Sequence, residues 1–404
     1  MKINKNLNYS FLYNIANALF PLATLPIVFR AMSPTTYGNI VFSNLIYQLL
    51  IALFFNSLIS FSIREYKENK GKSINEIYTL QIFFTVLSVF LYFFFSLLLK
   101  FTFNEGNEYF YIFLICTCFS FLHSDWVLFA EQDYKKLLLR TLFVKGILLL
   151  IIYFFVTDED DDYLYASMLA IGYAANNIIA YYYVRRFYGI RINFLISNIK
   201  SSIFNARYFI SSATVGVSYQ YVDQLIVGLL LNSSSLAYLN VLKQILGMLS
   251  IVPNTVCRFN LPKATVAYLK KENIKEYHNS LYPKYVLLIT FSSTIFMLFG
   301  QCSLNLFLGD KFNITDISIY ICSLIFFVSA TSVYLDTQHS IPLHYEKVTF
   351  TANIIVAIFY LSSLYSVAIS YDYNGVLLSF AIAEFLGVLY VCLFYLRRKK
   401  IWLK

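Results

Sequence analysis

Apolar stretches of about twenty residues, separated by short polar connectors, repeat along the whole chain. At about 1.5 Å per residue a helix of that length crosses the hydrocarbon core of a bilayer. The pattern predicts twelve helical spans, roughly at 7–30, 38–61, 77–99, 109–130, 138–156, 164–184, 207–231, 236–257, 283–307, 315–336, 348–370 and 375–396. An even number of spans puts both ends of the chain on one side. The first two spans are joined by the polar knuckle Arg30-Ala-Met-Ser-Pro-Thr-Thr-Tyr-Gly-Asn39. A counterpart, Asn232-Ser-Ser-Ser-Leu-Ala-Tyr-Leu-Asn240, follows the seventh span. Both knuckles are hydroxyl-rich, and both deliver a tyrosine and an asparagine to the next span.

This echo divides the chain. The expected organisation is a six-helix bundle over 1–186, an amphipathic linker over 187–206, a second six-helix bundle over 207–396 and a basic tail over 397–404. Six spans per half make the repeats parallel, related by an axis along the membrane normal, with a central cavity between two rocking bundles. In Arg186–Lys200, basic residues alternate with Phe187, Ile190, Ile192, Phe194 and Leu195. That segment reads either as a helix lying on the inner leaflet or as an ordinary connector.

Composition removes the main competitors. Only 13% of the 404 residues are charged and the mean hydropathy is +0.63, against about 25% charged in a soluble domain. No polar segment is long enough to bury a core of its own. A β-barrel would show weak alternating segments of about ten residues instead. The net charge of +9 reports orientation rather than nucleic acid: the basic residues gather in one set of loops, while the other set holds Arg30, Lys100, Lys311 and little else. Basic loops stay cytoplasmic, so both termini are expected there. The acidic run Asp158–Asp162 then falls in an outer loop, either simply solvated or a cation site. The six cysteines lie mostly in apolar runs and read as small packing residues. No signal-peptide cleavage pattern follows Met1–Asn6.

Ionisable groups inside spans are costly and mark pathways or pairs. Those within or at the ends of spans are Arg30, Asp125, Lys145, Asp223, Lys243 and Glu384. Asp223 and Lys243 lie ten residues before and after the apex at Ser233, which puts them at matched depth on neighbouring helices. Two readings fit: an ion pair that fixes packing, or a cavity pair in which Asp223 takes up a proton and frees Lys243 for an anion. Lys145 and Arg140 either snorkel to the inner surface or line a cationic cavity. Arg30 belongs either to the outer interface or to the cavity. Glu384, midway down its span, has no snorkelling route and is expected to face a cavity. Asp125-Trp126 reads as a structural element near the inner surface. Asn14, Asn17, Asn44, Asn56, Asn176, Asn177, Gln220 and Gln224 supply polarity for interhelical bonds or for sugar hydroxyls. No Gly-x-x-x-x-Gly-Lys-Ser/Thr motif and no metalloenzyme spacing of His, Glu and Asp occurs. No cofactor is expected, and if the task is transport it must be driven by an ion gradient or by the substrate gradient itself.

Several motifs resemble one family. Asn14-x-x-Asn17, Phe20-Pro21, Pro26-x-x-x-Arg30 and Tyr37-Gly38 look like its opening, and Ile63-Arg64-Glu65-Tyr66 like its exit from span two. Asp125-Trp126 through Glu131 resembles the end of span four, with Ala130-Glu131 where the family usually has Gln-Gly. Phe209–Ser212, Val222-Asp223-Gln224 and Gly228 resemble span seven. Pro253 with Leu261-Pro262 resembles the end of span eight, and Asn374-Gly375 with Glu384 resembles span twelve. The chain is thereby similar to the polysaccharide flippases of the Wzx, or O-antigen translocase, type, in the multidrug/oligosaccharidyl-lipid/polysaccharide exporter superfamily.

The resemblance implies a MATE-like, all-α protein of a bacterial inner membrane. It further implies flipping of undecaprenyl-pyrophosphate-linked oligosaccharide, an O-antigen or capsule repeat unit, with antiport of protons or sodium and possible partnership with a polymerase and a chain-length regulator. Arg30, Lys145 and Lys243 would then bind the pyrophosphate. Asp223 and Glu384 would couple the cation, and Asn14, Asn17, Asn44 and Gln224 would support them. A multidrug or metabolite exporter of the same superfamily is the first alternative. A membrane glycan polymerase is the second, and short outer loops speak against it.

Overall fold

The computed structural model describes residues 2–69, 73–102, 108–190, 203–204, 206–207, 221–270, 274–309, 311–312, 314–343 and 345–397. These residues are overwhelmingly helical. They form two compact units, Met1–Leu225 and Ile226–Lys404. The boundary falls inside the seventh expected span, and residues 191–202 of the expected linker lie outside the described part.

Among the described residues, eight helical stretches are long and apolar enough to cross a membrane, where the hydropathy pattern predicts twelve spans. Four local features account for the difference. Lys347–Arg397 is one stretch that holds both the eleventh and twelfth spans, with a single break at Asp372 (φ 56°, ψ −154°). The fourth span is divided into Glu108–Cys118, a 3-10 turn and Asp125–Ala130. The sixth, Asp162–Tyr188, is a 27-residue helix kept out of the count by its polar content, including Asn176 and Asn177. The seventh is described only over Tyr221–Leu230.

In the first unit, α1 (Lys2–Ala31) packs along α7 (Tyr134–Phe155), which continues onto α8 (Asp162–Tyr188). α2 (Pro34–Ile51) runs through a π turn, Ala52–Asn56, into α3 (Ser57–Asn69). α4 (Ser73–Thr102) and α5 (Glu108–Cys118) pack against α2, and α3 packs on α6 (Asp125–Ala130). Fully buried Trp126 sits with Tyr78, Leu128, Leu137 and Val184 in one apolar cluster. The polar tips of buried tyrosines are satisfied: Tyr92 donates to the Ser43 carbonyl (3.0 Å), and the Tyr78 hydroxyl meets Ser124 Oγ (2.8 Å). Burying such a group unpaired would cost several kcal/mol, at roughly 2–7. α8 ends at Gly189, whose φ of 68° is the left-handed conformation that glycine reaches without strain.

The second unit contains α10 (Ser233–Leu249), α11 (Ile251–Lys270), α12 (Ile274–Leu308), α13 (Asp316–Leu335) and α14 (Glu346–Arg397), while α9 (Tyr221–Leu230) crosses the boundary between units. α13 is the central element, packed on both α12 and α14. It passes directly into a second π turn, Asp336–Ser340. The two halves of α14 approach closely at Gly387, where a Cβ would fall 2.6 Å from a Val356 methyl. Small residues permit such contacts between apolar helices.

The two knuckles that echo in sequence do the same local job. Ser33 Oγ accepts the Thr36 N–H (3.3 Å) and caps α2. Asn232 Oδ1 accepts the Ser235 N–H (2.7 Å) and caps α10. An oxygen-bearing side chain at this position satisfies one of the unpaired amides of the first helical turn.

Candidate functional site

The first site is made by a proline. Pro21 lies inside α1 and has no N–H to give, which frees the carbonyl four residues earlier. That carbonyl belongs to Asn17. Lys145, from the facing helix α7, donates to it (3.3 Å) and to the Asn17 side-chain oxygen (2.8 Å). The ammonium also lies 5.1 Å from the Phe20 ring centroid. All these partners are neutral, and no carboxylate among the described residues pairs with Lys145. Asn17 and Lys145, both singled out from sequence, are thus brought together across 128 positions.

Arg140, one helical turn and a half earlier on α7, has a different fate. It is 3% exposed and forms a bidentate pair with Asp125 of α6, one bond at 3.0 Å and a second shorter one. Neither snorkelling nor a cationic cavity describes it: its charge is neutralised inside the unit. This also gives Asp125 the structural role expected of it.

Asn44 donates to the Tyr173 hydroxyl (3.5 Å), as does Gln48 (3.2 Å), so α2 and α8 share a polar seam. Asn14 is exposed on α1, and Arg30 is exposed in the last turn of the same helix. Asp223 is fully buried and accepts the N–H of Gln224 (2.7 Å), itself 6% exposed. Lys243 is half-buried on α10. Gln220 lies outside the described residues. The acidic run Asp158–Asp162 also has a specific contact: Glu159 accepts from the Ser33 N–H (3.3 Å) and the Thr36 hydroxyl (3.0 Å), at the start of α2.

A second site lies in the second unit. Glu384 lines a small cavity together with Ser332, Asp336, Ser340, Thr349 and Asn353. Asp336 accepts from the Thr349 hydroxyl (2.8 Å). Glu384 has no hydrogen-bond partner among the described residues. Two carboxylates with hydroxyl and amide oxygens form a donor set suited to a hard cation or a proton. Asp336 was not singled out from sequence because it falls at the very end of span ten, where an acid is ordinary; the π turn carries it back onto the cavity. No group of three or more His, Cys, Asp or Glu arranged for a metal ion occurs among the described residues.

Comparisons with known proteins bear on the family and the fold. The family model described as "Polysaccharide biosynthesis protein" matches residues 3–259, more than half of the chain. No curated protein matches the chain by sequence. Among solved structures, the lipid II flippase MurJ in its inward closed conformation is similar over 96% of this chain and 87% of its own, with a TM-score of 0.72 at 16% identity. An inward-facing multidrug resistance MATE family transporter of the MOP superfamily covers 95% and 94%, with a TM-score of 0.63 at 12% identity. The eukaryotic MATE transporter AtDTX14 covers 97% and 95%, with a TM-score of 0.57 at 13% identity. At such identities the likeness establishes the fold. With the family match, it identifies the chain as a multi-pass membrane protein of MATE/MurJ-like architecture that belongs to the polysaccharide biosynthesis protein family.

Proposed function

We propose that this protein is a flippase. It moves an undecaprenyl-pyrophosphate-linked oligosaccharide, an O-antigen or capsule repeat unit, from the cytoplasmic to the outer leaflet of a bacterial inner membrane by alternating access. Both termini are cytoplasmic in this reading. The observation that carries it is Lys145: a half-buried ammonium whose partners are the neutral oxygens of Asn17 and the face of Phe20. A buried charge without a counter-charge is costly. An anion that arrives with its own charge, such as a pyrophosphate, offsets that cost. The Arg140 charge is already taken by Asp125, whereas Lys145 of the same helix keeps its charge available. Family membership and the MurJ-like fold support the same reading.

Arg30 and Lys243 are the further phosphate-binding groups of the proposal. Asn14, Asn17, Asn44 and Gln224 supply hydrogen bonds to the headgroup and sugars. Cation coupling is assigned to Glu384, in its cavity with Asp336, and to Asp223. A polymerase and a chain-length regulator are the expected partners in the membrane.

Export of a cationic drug or metabolite is the second reading, and the paired carboxylates of the Glu384 cavity favour it. Proteoliposomes distinguish the two. The flippase reading expects wild-type protein to translocate a lipid-linked oligosaccharide and Lys145→Ala to lose most of that activity, with Lys145→Arg retaining more. Efflux of a cationic dye that survives Lys145→Ala, with no glycolipid movement by wild type, would establish the exporter instead.

A further inference from the structure

Two histidines 61 positions apart in sequence meet in the second unit. The rings of His278, on α12, and His339, on the π turn Asp336–Ser340, stack with centroids 4.4 Å apart and planes 7° apart. The hydroxyl of Tyr268, from α11, lies 2.9 Å from Nε2 of His278 and 2.9 Å from Nδ1 of His339. The other nitrogen of His278, Nδ1, lies 3.2 Å from the Tyr334 hydroxyl of α13.

Proton counting makes this arrangement unusual. The Tyr268 hydroxyl has one proton and faces two ring nitrogens. It donates to one, so the other must donate to it, and the tautomers of the two rings are tied together. When Tyr268 donates to His339, His278 carries its proton on Nε2 and accepts from Tyr334 through Nδ1. A proton added at that Nδ1 only reverses the bond to Tyr334. Every contact survives. A second proton must go to Nδ1 of His339, where it displaces the proton of Tyr268 and sets two positive rings face to face. At 4.4 Å and an effective dielectric near 20, that repulsion weakens the second protonation by about 500-fold. A metal is not favoured, because the in-plane lone pairs of parallel rings do not converge on one point.

We propose that His278, His339 and Tyr268 form a binding site for one proton, and that its occupancy is transmitted to the π turn Asp336–Ser340. The turn is the connection. His339 faces the histidine stack from it, while Asp336 and Ser340, its two ends, line the cavity of Glu384. Gln338, fully buried in the same turn, is pinned by Tyr277 (2.7 Å) and by the Cys257 carbonyl (2.8 Å). Ser340 shares a hydrogen bond with Tyr395 of α14 (2.9 Å), whose ring lies 5.8 Å from that of His339. Among the described residues, the titratable groups around the pair include Tyr268 of α11, Tyr277 of α12, Tyr334 of α13, Asp336 of the turn and Tyr395 of α14, with Cys257 behind Gln338. The tyrosines and the thiol keep their protons at neutral pH, which leaves the two imidazoles and Asp336 to respond. π turns inserted in helices are frequent at functional sites. The proton site stands on this geometry and is independent of which solute the protein moves.

Full-length protein in lipid nanodiscs, labelled on its four histidine rings, tests this by NMR titration between about pH 3 and pH 8. The expected result is one shared step that moves the His278 and His339 signals together. Tyr268→Phe, which keeps the ring packing and the repulsion but unties the two tautomers, should keep one first step and shift its midpoint. His278→Gln should leave His339 with a simple single-site titration shifted from the shared one. Hydrogen exchange of the peptide covering residues 336–343, corrected for intrinsic rate, should change across the same step and lose that change in Tyr268→Phe. Independent titrations unaltered by Tyr268→Phe would overturn the proposal. So would the absence of any protonation before unfolding, or exchange at the turn that ignores the step.

Discussion

Lys145 Nζ donates to both oxygens of Asn17, the side-chain amide at 2.8 Å and the backbone carbonyl at 3.3 Å. The second bond exists because Pro21 has no N–H to occupy that carbonyl. A helix-breaking residue in α1 thus becomes a binding element for a cation of α7. Pro21→Ala should restore the helical donor and compete with Lys145 for the carbonyl. In reconstituted translocation of a lipid-linked oligosaccharide, Pro21→Ala should reduce the rate several-fold. Lys145→Ala should reduce it about tenfold to a hundredfold, as expected for losing a hydrogen-bonded charge.

The buried pair of Asp125 and Arg140 should behave as a structural unit. Removing only the acid leaves a guanidinium that is 3% exposed without its counter-charge. Asp125→Ala is therefore expected to lose about 3–5 kcal/mol, whereas the double change Asp125→Leu with Arg140→Met should recover much of it. Thermal unfolding in detergent, arranged as a double-mutant cycle, measures the difference. A single variant no less stable than the double one contradicts the assignment.

The matched caps give a symmetric expectation. Ser33→Ala and Asn232→Ala each remove the oxygen that satisfies a first-turn amide, and each should cost about 1 kcal/mol. Ser33→Ala keeps the backbone N–H that donates to Glu159, so that contact survives it. Glu159→Gln should weaken that contact separately. Chemical denaturation of the purified variants reads both effects.

Asp133 provides a pH-dependent prediction away from the spans. It precedes α7, accepts from Lys136 in an ion pair (2.7 Å) and from the Tyr188 hydroxyl (3.0 Å). Burial alone would raise its pKa, but Lys136 and Tyr188 together outweigh burial and hold it below the usual carboxylate value. A folded pKa below the unfolded one stabilises above the unfolded value, near 3.9, and that stability disappears as pH falls through the folded one. The gap in melting temperature between wild type and Asp133→Asn should therefore be constant near neutral pH and close on acidification. A gap that widens in acid would reverse the sign assigned to Asp133.

Glu384→Gln should remove the dependence of translocation on an imposed cation gradient while leaving binding of the lipid-linked substrate intact. Asp336→Asn should act in the same direction, since the two line one cavity. Equilibrium binding and gradient-driven uptake, measured on the same preparations, separate the two effects. Unchanged gradient dependence in both variants would remove the cavity from the coupling mechanism.

The sequence by itself determined the solvent of this protein and most of its local vocabulary. Long apolar runs with few charges leave a bilayer as the medium, because no polar segment can bury a core. The knuckles at Ser33 and Asn232 announced their helix starts through oxygen-bearing side chains, which act within three residues and need no tertiary partner. The break near Asn374-Gly375 likewise appears at Asp372. What only the tertiary structure decided are the partnerships. Arg140 and Lys145 look alike in sequence, five positions apart on one helix, yet one is neutralised by Asp125 and the other rests on neutral oxygens. Nothing within a helical turn distinguishes them; the difference comes from which neighbouring helix each one meets. Asp336 joins Glu384, and His278 stacks on His339, for the same reason. Hydrophobic burial is non-directional and fixes that helices pack, while close packing of particular side chains fixes which polar groups end up together.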